Sequence, residues 1–356
     1  MRFDQQKLDT VLERAVGDLS AGYGGAMVSL GDKLGLYRAM AGAGPLTPGE
    51  VAARSGCAER YVREWLNAQA AGGYVDYHHA SGTYELTPEQ GAVLADPDSP
   101  LFIAPAWDVP ASMFADEPAT LEAFRTGRGV AWGDRQPRMH AGVARFYRNG
   151  YRAGLAAAWI PALDGVAARL QAGGRVADIG CGFGHSTVAM AEAYPASTFH
   201  GIDSHPASIL AARIAAQEAG VDDRVTFEVA DATTWEGEGY DLIAFFDALH
   251  DMGDPVGVLS RARAALAPGG TILLVEPFAG DRVEDNLNPV GRLYYAASAA
   301  LCLTHARSEG GFDPLGAQAG AARIAEVCRL AGLAHVRRAT ATPFNLVLEV
   351  RPDAVP

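Results

Sequence analysis

The sequence has little lysine, little cysteine and no long apolar run. Only two of its 29 basic residues are lysine, Lys7 and Lys33, and 42 acidic residues leave a net charge of −13. A chain this acidic repels phosphate backbones, so nucleic acid is a poor partner for it. The four cysteines, Cys57, Cys181, Cys302 and Cys328, are scattered over 356 residues and form no CxxC pair. That excludes a disulfide framework and fits a reducing cytoplasm. The longest plainly apolar run, Tyr294 to Leu303, reaches about half of the ~20 residues that a membrane-spanning helix needs. The first ten residues, MRFDQQKLDT, mix both charge signs without an apolar stretch, which predicts no secretory leader. What is present is ordinary globular composition, 49% hydrophobic and 20% charged, over a length that suits two domains.

The first 90 residues read as helices and turns. Leu8, Val11, Leu12 and Val16 keep helical spacing, and a second apolar helix is expected over Ala26 to Ala41. Thr47, Pro48 and Glu50 form a capping-box start for a short helix that ends near Gly56. The next helix, Ala58 to Ala71, carries Tyr61, Val62, Trp65, Leu66 and Ala68 on its inner faces and stops at Gly72-Gly73. Two short strands, from Tyr74 and from Thr83, follow around the turn His78-His79-Ala80-Ser81-Gly82. Helix, turn, helix, hairpin is the order of a winged helix. Prolines break the chain between 97 and 110, and helical segments are expected over 111–126, 139–148 and 150–170.

From residue 175 strands and helices alternate. Strands are expected at Arg175 to Gly180, Thr198 to Asp203, Val225 to Val229, Asp241 to Asp247 and Thr271 to Glu276, with helices at 185–194, 206–219 and 254–267. Such alternation implies a parallel sheet with crossover helices on both faces. The tail differs: His335 to Ala341 and Phe344 to Val350 flank a tight turn and must run antiparallel.

The strongest motif is Val176-Ala177-Asp178-Ile179-Gly180-Cys181-Gly182-Phe183-Gly184-His185. A buried strand enters three alternating glycines and then a helix. The glycines let the backbone turn sharply and approach a ligand, and the helix N-terminus faces it. Asp203 ends the next strand, 19 residues after Gly184, where an acid can accept from both ribose hydroxyls. The pair suits a dinucleotide as well, but the spacing is GxGxG rather than GxGxxG.

Asp231-Ala232 follow the third strand, and LAPGGTILLVEP runs from Leu266 to Pro277. With these pieces the chain resembles the class I S-adenosylmethionine-dependent methyltransferases, over roughly residues 160–350: DIGCGFG, the acid of GIDSH, VADAT, FFDALHDM and LAPGGTILLVEP stand in family order. The resemblance implies a Rossmann-like seven-stranded α/β domain whose last strand is antiparallel. It implies that Asp178 and the loop Gly180, Cys181, Gly182 and Gly184 hold the methionine end. Asp203, with Ser204, would hold the ribose, Asp231 and Ala232 the adenine, while Phe246 and Asp247 flank the cofactor. His185 stands either at the methionine carboxylate or as a helix cap.

A mainly α winged-helix domain before such a domain is similar to the caffeate and hydroxyindole O-methyltransferases. It is closer to a bacterial branch described as methyltransferases or as transcriptional regulators, for the most part of unassigned substrate. The stretches GDKLGLYRAM, ERYVREWLNAQAAGGYV, VEPFAGD and LGAQAG carry that likeness. From Pro45 to Thr87 three arginines face five acids, so DNA binding is not expected of the winged helix. A dimerisation module that also covers the active site is.

The resemblance also assigns His250-Asp251, just after the fourth strand, as the catalytic pair. His250 would remove a proton from an acceptor hydroxyl, because imidazole titrates near operating pH, and Asp251 would orient it. His305, 55 residues on, opens an alternative in which His250 and His305 bind a metal for C-methylation of an α-keto acid. A cofactor-sensing transcriptional regulator is the other alternative.

The expectations are a winged-helix and dimerisation domain over 1–110, a helical connector and active-site cover over 111–160, and an S-adenosylmethionine-binding methyltransferase domain over 161–356. The enzyme would be a cytoplasmic homodimer without nucleic-acid or membrane partners, acting on a small molecule and releasing S-adenosylhomocysteine. No metal is assigned. Trp107, Met113, Phe146, Tyr147, Tyr294, Tyr295 and His305 are the expected lining of the acceptor pocket.

Overall fold

The computed structural model describes residues 3–352. It divides into two compact units, one holding the chain up to Ser112 with Ala141–Asn149, the other Met113–His140 with the chain from Gly150 onward.

In the first unit a single helix runs over Gln5–Lys33, capped by the Asp4 side chain, which accepts from the N–H of Lys7. No separate helix starts at Ala26. The break comes later, at Gly35, whose φ of +69° turns the chain before Leu36–Met40. The helix Pro48–Ser55 has the expected reciprocal Thr47–Glu50 capping box and stops at Gly56, with φ +70°. Helix Glu59–Ala71 buries Val62, Trp65 and Leu66 against Val28, Leu36, Tyr37 and Val51. Tyr61, expected inside, is 80% exposed, and Ala68 is exposed too. The inner stripe is 62, 65, 66 and 69, which leaves positions 61 and 68 on its outer side. Gln69 takes the inner place and accepts from the Tyr37 hydroxyl at 2.5 Å. Strands β1 (Asp76–His78) and β2 (Thr83–Glu85) pair antiparallel and complete the winged helix.

The second unit contains β3 (Arg175–Ile179), β4 (Thr198–Asp203), β5 (Val225–Val229), β6 (Tyr240–Phe246), β7 (Leu266–Pro277), β8 (His335–Ala341) and β9 (Asn345–Arg351). They form one sheet in the order β5-β4-β3-β6-β7-β9-β8, with β9 antiparallel to both neighbours and the other pairings parallel. Helices His185–Ala193, Pro206–Glu218 and Pro255–Ala265 make the crossovers. Ile179, Ile202, Ile243, Phe245, Leu274 and Leu348 are buried within its core, as expected of strands covered on both faces.

Between residues 111 and 160 the expected break at 149 is absent, and one helix continues over Pro137–Gly154 into a wider π turn at Leu155–Trp159. Among the described residues no helix is long and apolar enough to cross a membrane.

Strand order reverses between β3 and β6. The loops leaving their carboxyl ends diverge, and such a switch point is where open α/β sheets form a ligand crevice.

Candidate cofactor and catalytic site

The loop after β3 has Gly180, Gly182 and Gly184 at φ +74°, +53° and +73°. Two of these glycines are also required by packing. A Cβ on Gly180 would come within 2.7 Å of Ala248 Cβ, and one on Gly184 within 2.8 Å of Ala212 Cβ and Phe227 Cζ. Gly182 differs, because nothing lies within 4 Å of where its Cβ would point. The loop is clamped on one side and open at its centre.

Asp178, near the end of β3, is fully buried. Its Oδ2 accepts from the hydroxyls of Ser186 and Thr187, both at 2.6 Å, while Oδ1 is buried without a partner. Burial pushes its pKa up to about 6, against the pull of the two hydroxyls. An orphaned carboxylate oxygen on the strand that leads into an open glycine fits a ligand that brings a cationic donor.

Asp203 Oδ2 accepts from Gly182 N–H at 2.9 Å, and Oδ1 accepts from His205 N–H at 2.8 Å. The acid that ends β4 thereby holds the tip of the loop; Ser204 beside it is exposed. Asp231, after β5, is exposed and folds its Oδ1 onto the N–H of Thr233 at 2.7 Å, with Ala232 half-buried next to it. Cys181 is buried and its N–H donates to Ile202 O at 3.1 Å. Burial raises its thiol pKa well above the ordinary value, which fits a residue chosen for size rather than reactivity. His185, half-buried, is the first residue of the helix that follows.

Phe246 ends β6 with its ring 5.4 Å from that of Tyr151 and 6.4 Å from that of Trp159. Asp247 follows with φ +51°, and among the described residues no other non-glycine has positive φ. Its N–H donates to Val275 O at 2.7 Å, and its Oδ1 accepts from Asn345 Nδ2 at 2.8 Å. Strained backbone of this kind persists where the surroundings over-determine it, commonly at functional sites.

His250 lies in the short turn Leu249–Asp251 and is 6% exposed. Its Nδ1 is 2.7 Å from Oε2 of Glu276, whose Oε1 accepts from Leu249 N–H at 3.1 Å. The carboxylate bonded to His250 is thus Glu276, whereas the sequence reading gives that place to Asp251. The cause is strand pairing: Phe246 on β6 stands opposite Val275 on β7, so the turn after β6 reaches the next residue of β7. Burial pulls the imidazole pKa down, but the neighbouring Cys302 and Glu276 push it up and prevail. Burial raises Asp251 to about 6, against the pull of His250 and His305. Asp247 is raised well above the carboxylate range by burial and then by the charge of Glu276.

His305 faces Glu309, Nε2 to Oε1 at 3.4 Å. Among the described residues no group of three or more His, Cys, Asp or Glu side chains is placed to hold a metal ion. The residues expected to line the acceptor pocket fall in both units. Trp107, Phe146 and Tyr147 belong to the first: Trp107 packs on Gly25, whose Cβ would stand 2.4 Å from the indole, and Phe146 and Tyr147 meet edge to face at 5.0 Å. Met113, Tyr294, Tyr295 and His305 belong to the second. The buried Tyr294 donates its hydroxyl to Phe344 O at 3.0 Å, while Met113 and Tyr295 are half-buried. Sequence alone assigns no role to Asn345, Tyr151, Trp132 or His140, and leaves Glu276 in the VEP stretch without one.

The reversed strand order, the open glycine and the tethered acid define a class I methyltransferase fold. Residues 170–319 match the methyltransferase domain family, and residues 23–96 match the Rv2258c-like winged HTH domain. The chain is 37% identical over 107 residues to 27-O-demethylrifamycin SV methyltransferase of Amycolatopsis mediterranei (strain S699), across 30% of this chain and 39% of that protein. The chain spans about two fifths of the length of the curated relatives it matches. Among solved structures, mitomycin 7-O-methyltransferase superposes with a TM-score of 0.70 at 19% identity, covering 98% of this chain and 99% of that one. Human N-acetylserotonin methyltransferase, in complex with S-adenosylmethionine, gives 0.69 at 18% identity, covering 96% and 98%. At such identities the likeness speaks for the fold.

Proposed function

We propose that this protein is an S-adenosylmethionine-dependent methyltransferase that methylates a hydroxyl of a small molecule, with His250 as general base and S-adenosylhomocysteine as product. The observation that carries the reading is the His250–Glu276 pair, at 2.7 Å, beside the glycine loop: Gly180 packs directly on Ala248, two residues before His250. The residues fit the cofactor. Asp178 Oδ1 and the open face at Gly182 would hold its methionine end, Asp203 and Ser204 the ribose, Asp231 and Ala232 the adenine, with Phe246 and Asp247 at its flank. When bound, it supplies a methyl group already activated by a sulfonium.

The chain's own work is then small. Glu276 accepts from Nδ1–H of His250 and fixes the tautomer, so the other ring nitrogen, which Cys302 meets in the unliganded chain, would turn to the acceptor hydroxyl and take its proton. The same carboxylate stabilises the imidazolium that forms. The acceptor would need to be held in line with the methyl group, and such placement supplies much of the rate. The 27-O in the name of one sequence relative supports oxygen as the acceptor atom.

The assembly is a homodimer. Leu8, Val11, Leu12, Val16, Leu19 and Tyr23 on the first helix are all exposed, a contiguous apolar face that a second copy would cover. DNA is not a partner: Arg60 and Arg63 on the second helix of the winged-helix motif are each paired with a glutamate of the same helix, Glu64 at 2.6 Å and Glu59 at 2.5 Å. Four free thiols accord with a cytoplasmic location. The test is a screen of phenols, hydroxy acids and α-keto acids with methyl-labelled cofactor. On the best acceptor, His250→Ala should cut turnover about 10²- to 10⁴-fold with cofactor affinity kept. Unchanged turnover would remove His250 from the mechanism.

A further inference from the structure

A row of four rings borders Asp203. His205, whose N–H holds Asp203, stands 4.7 Å from the ring of His140. His140 lies 5.2 Å from Trp132, and Trp132 lies 5.9 Å from His305. A ring nitrogen of His140, Nε2, is also bonded to Trp132 O at 2.9 Å. Trp132 and His140 lie outside the matched methyltransferase segment, 170–319, although they sit in the same compact unit.

The segment that brings them is firmly held. Val130 N–H donates to Thr304 O at 2.8 Å. The buried guanidinium of Arg135 donates to Ala300 O at 2.8 Å and to the Thr304 hydroxyl. Gly129 must be glycine, because a Cβ there would fall 1.9 Å from Ser308 N. This wall is thus built against helix Leu303–Ser308, the helix that carries His305.

His305 has one nitrogen engaged and one not. Glu309 faces Nε2 and is itself fixed by Gly253 N–H at 2.8 Å. Nδ1 is buried with no partner. The charge of Asp203 is felt by His305 and by Glu309, and that of Asp231 by Glu309 as well. The row of rings starts at the residue that holds Asp203, the acid after β4, and ends at the histidine with the orphaned nitrogen. A buried polar atom without a partner is unfavourable until a ligand meets it, and flat rings suit a flat nucleoside.

We infer that Trp132, His140 and His305 form a wall of the adenine-nucleoside part of the cofactor site, with Trp132 covering it and His305 Nδ1 meeting a polar group of the nucleoside. His305 is then a cofactor-contacting residue rather than part of the acceptor pocket. This rests on the methyltransferase reading above.

The test is calorimetry of S-adenosylhomocysteine binding to the full-length protein, with tryptophan emission recorded in parallel. His305→Ala and Trp132→Ala should each weaken binding about tenfold or more. Trp132→Phe, which keeps a flat ring, should bind within about threefold of wild type yet lose the emission change on ligand addition. Wild type that binds, with folded alanine variants that bind equally tightly, overturns the inference and leaves the methyltransferase reading standing. An emission change retained undiminished in Trp132→Phe does the same even if the alanine variants do not fold. Wild type that binds no S-adenosylhomocysteine overturns both.

Discussion

His250 Nδ1 donates to Oε2 of Glu276 across 2.7 Å, and both side chains are shut away from water. With its pKa raised above the ordinary imidazole value, His250 is protonated at a pH where a free histidine would be neutral. A general base must be neutral, so kcat/KM should climb with pH and level off only above that raised pKa. Glu276→Gln removes the charge that favours the imidazolium. The ascending limb should move toward acid pH while the plateau falls about tenfold or more. A plateau that falls with the limb unmoved would make Glu276 a packing residue only.

Asp178 leads to a second pH effect, of opposite sign for binding and for stability. Its folded pKa of about 6 exceeds the ordinary value because it is buried. The folded chain therefore holds that proton more tightly than the unfolded chain, and this group favours the unliganded fold increasingly as pH falls from about 7 toward 4. A ligand ammonium needs the ionised form. S-adenosylhomocysteine affinity should be full above about pH 7 and fall below pH 6, by up to about tenfold per unit. Asp178→Asn should bind more weakly at pH 7.5 and lose that slope, as read by calorimetry across pH.

The exposed apolar face of helix Gln5–Lys33 predicts dimer dissociation by charge. Val11 and Val16 are 66% and 53% exposed and make no core in their own unit. Val11→Glu with Val16→Glu should yield a folded monomer by sedimentation where wild type sediments as a dimer. Wild type that sediments as a monomer at tens of micromolar (roughly the range where a micromolar dimer persists) would remove the assembly from the account.

Local signals carried much of this fold. Thr47 and Glu50 announce a helix start by chemistry within four residues, and the strands Thr198–Asp203 and Val225–Val229 stand where a run of β formers between helical stretches puts them. The antiparallel tail was legible because His335–Ala341 and Asn345–Arg351 are too close for a crossover. What failed was information that lives in pairing and packing. Glu276 meets His250 only because Phe246 and Val275 share a register across two strands. Trp132 and His140 line up with His205 and His305 through a segment anchored 165 residues away, where Arg135 meets Ala300. Tyr61 differs from Val62 by one helical position, and hydrophobicity does not reveal which side of the stripe a tyrosine takes.

If the glycine loop after β3 is an S-adenosylmethionine site, titration calorimetry with S-adenosylhomocysteine will read it out. The open face at Gly182, where nothing lies within 4 Å, is the space the ligand would use, and its φ of +53° also resists a branched side chain. One S-adenosylhomocysteine should bind per chain, NAD should give no heat, and a folded Gly182→Val protein should bind neither. Tight binding of NAD with no response to S-adenosylhomocysteine would contradict it.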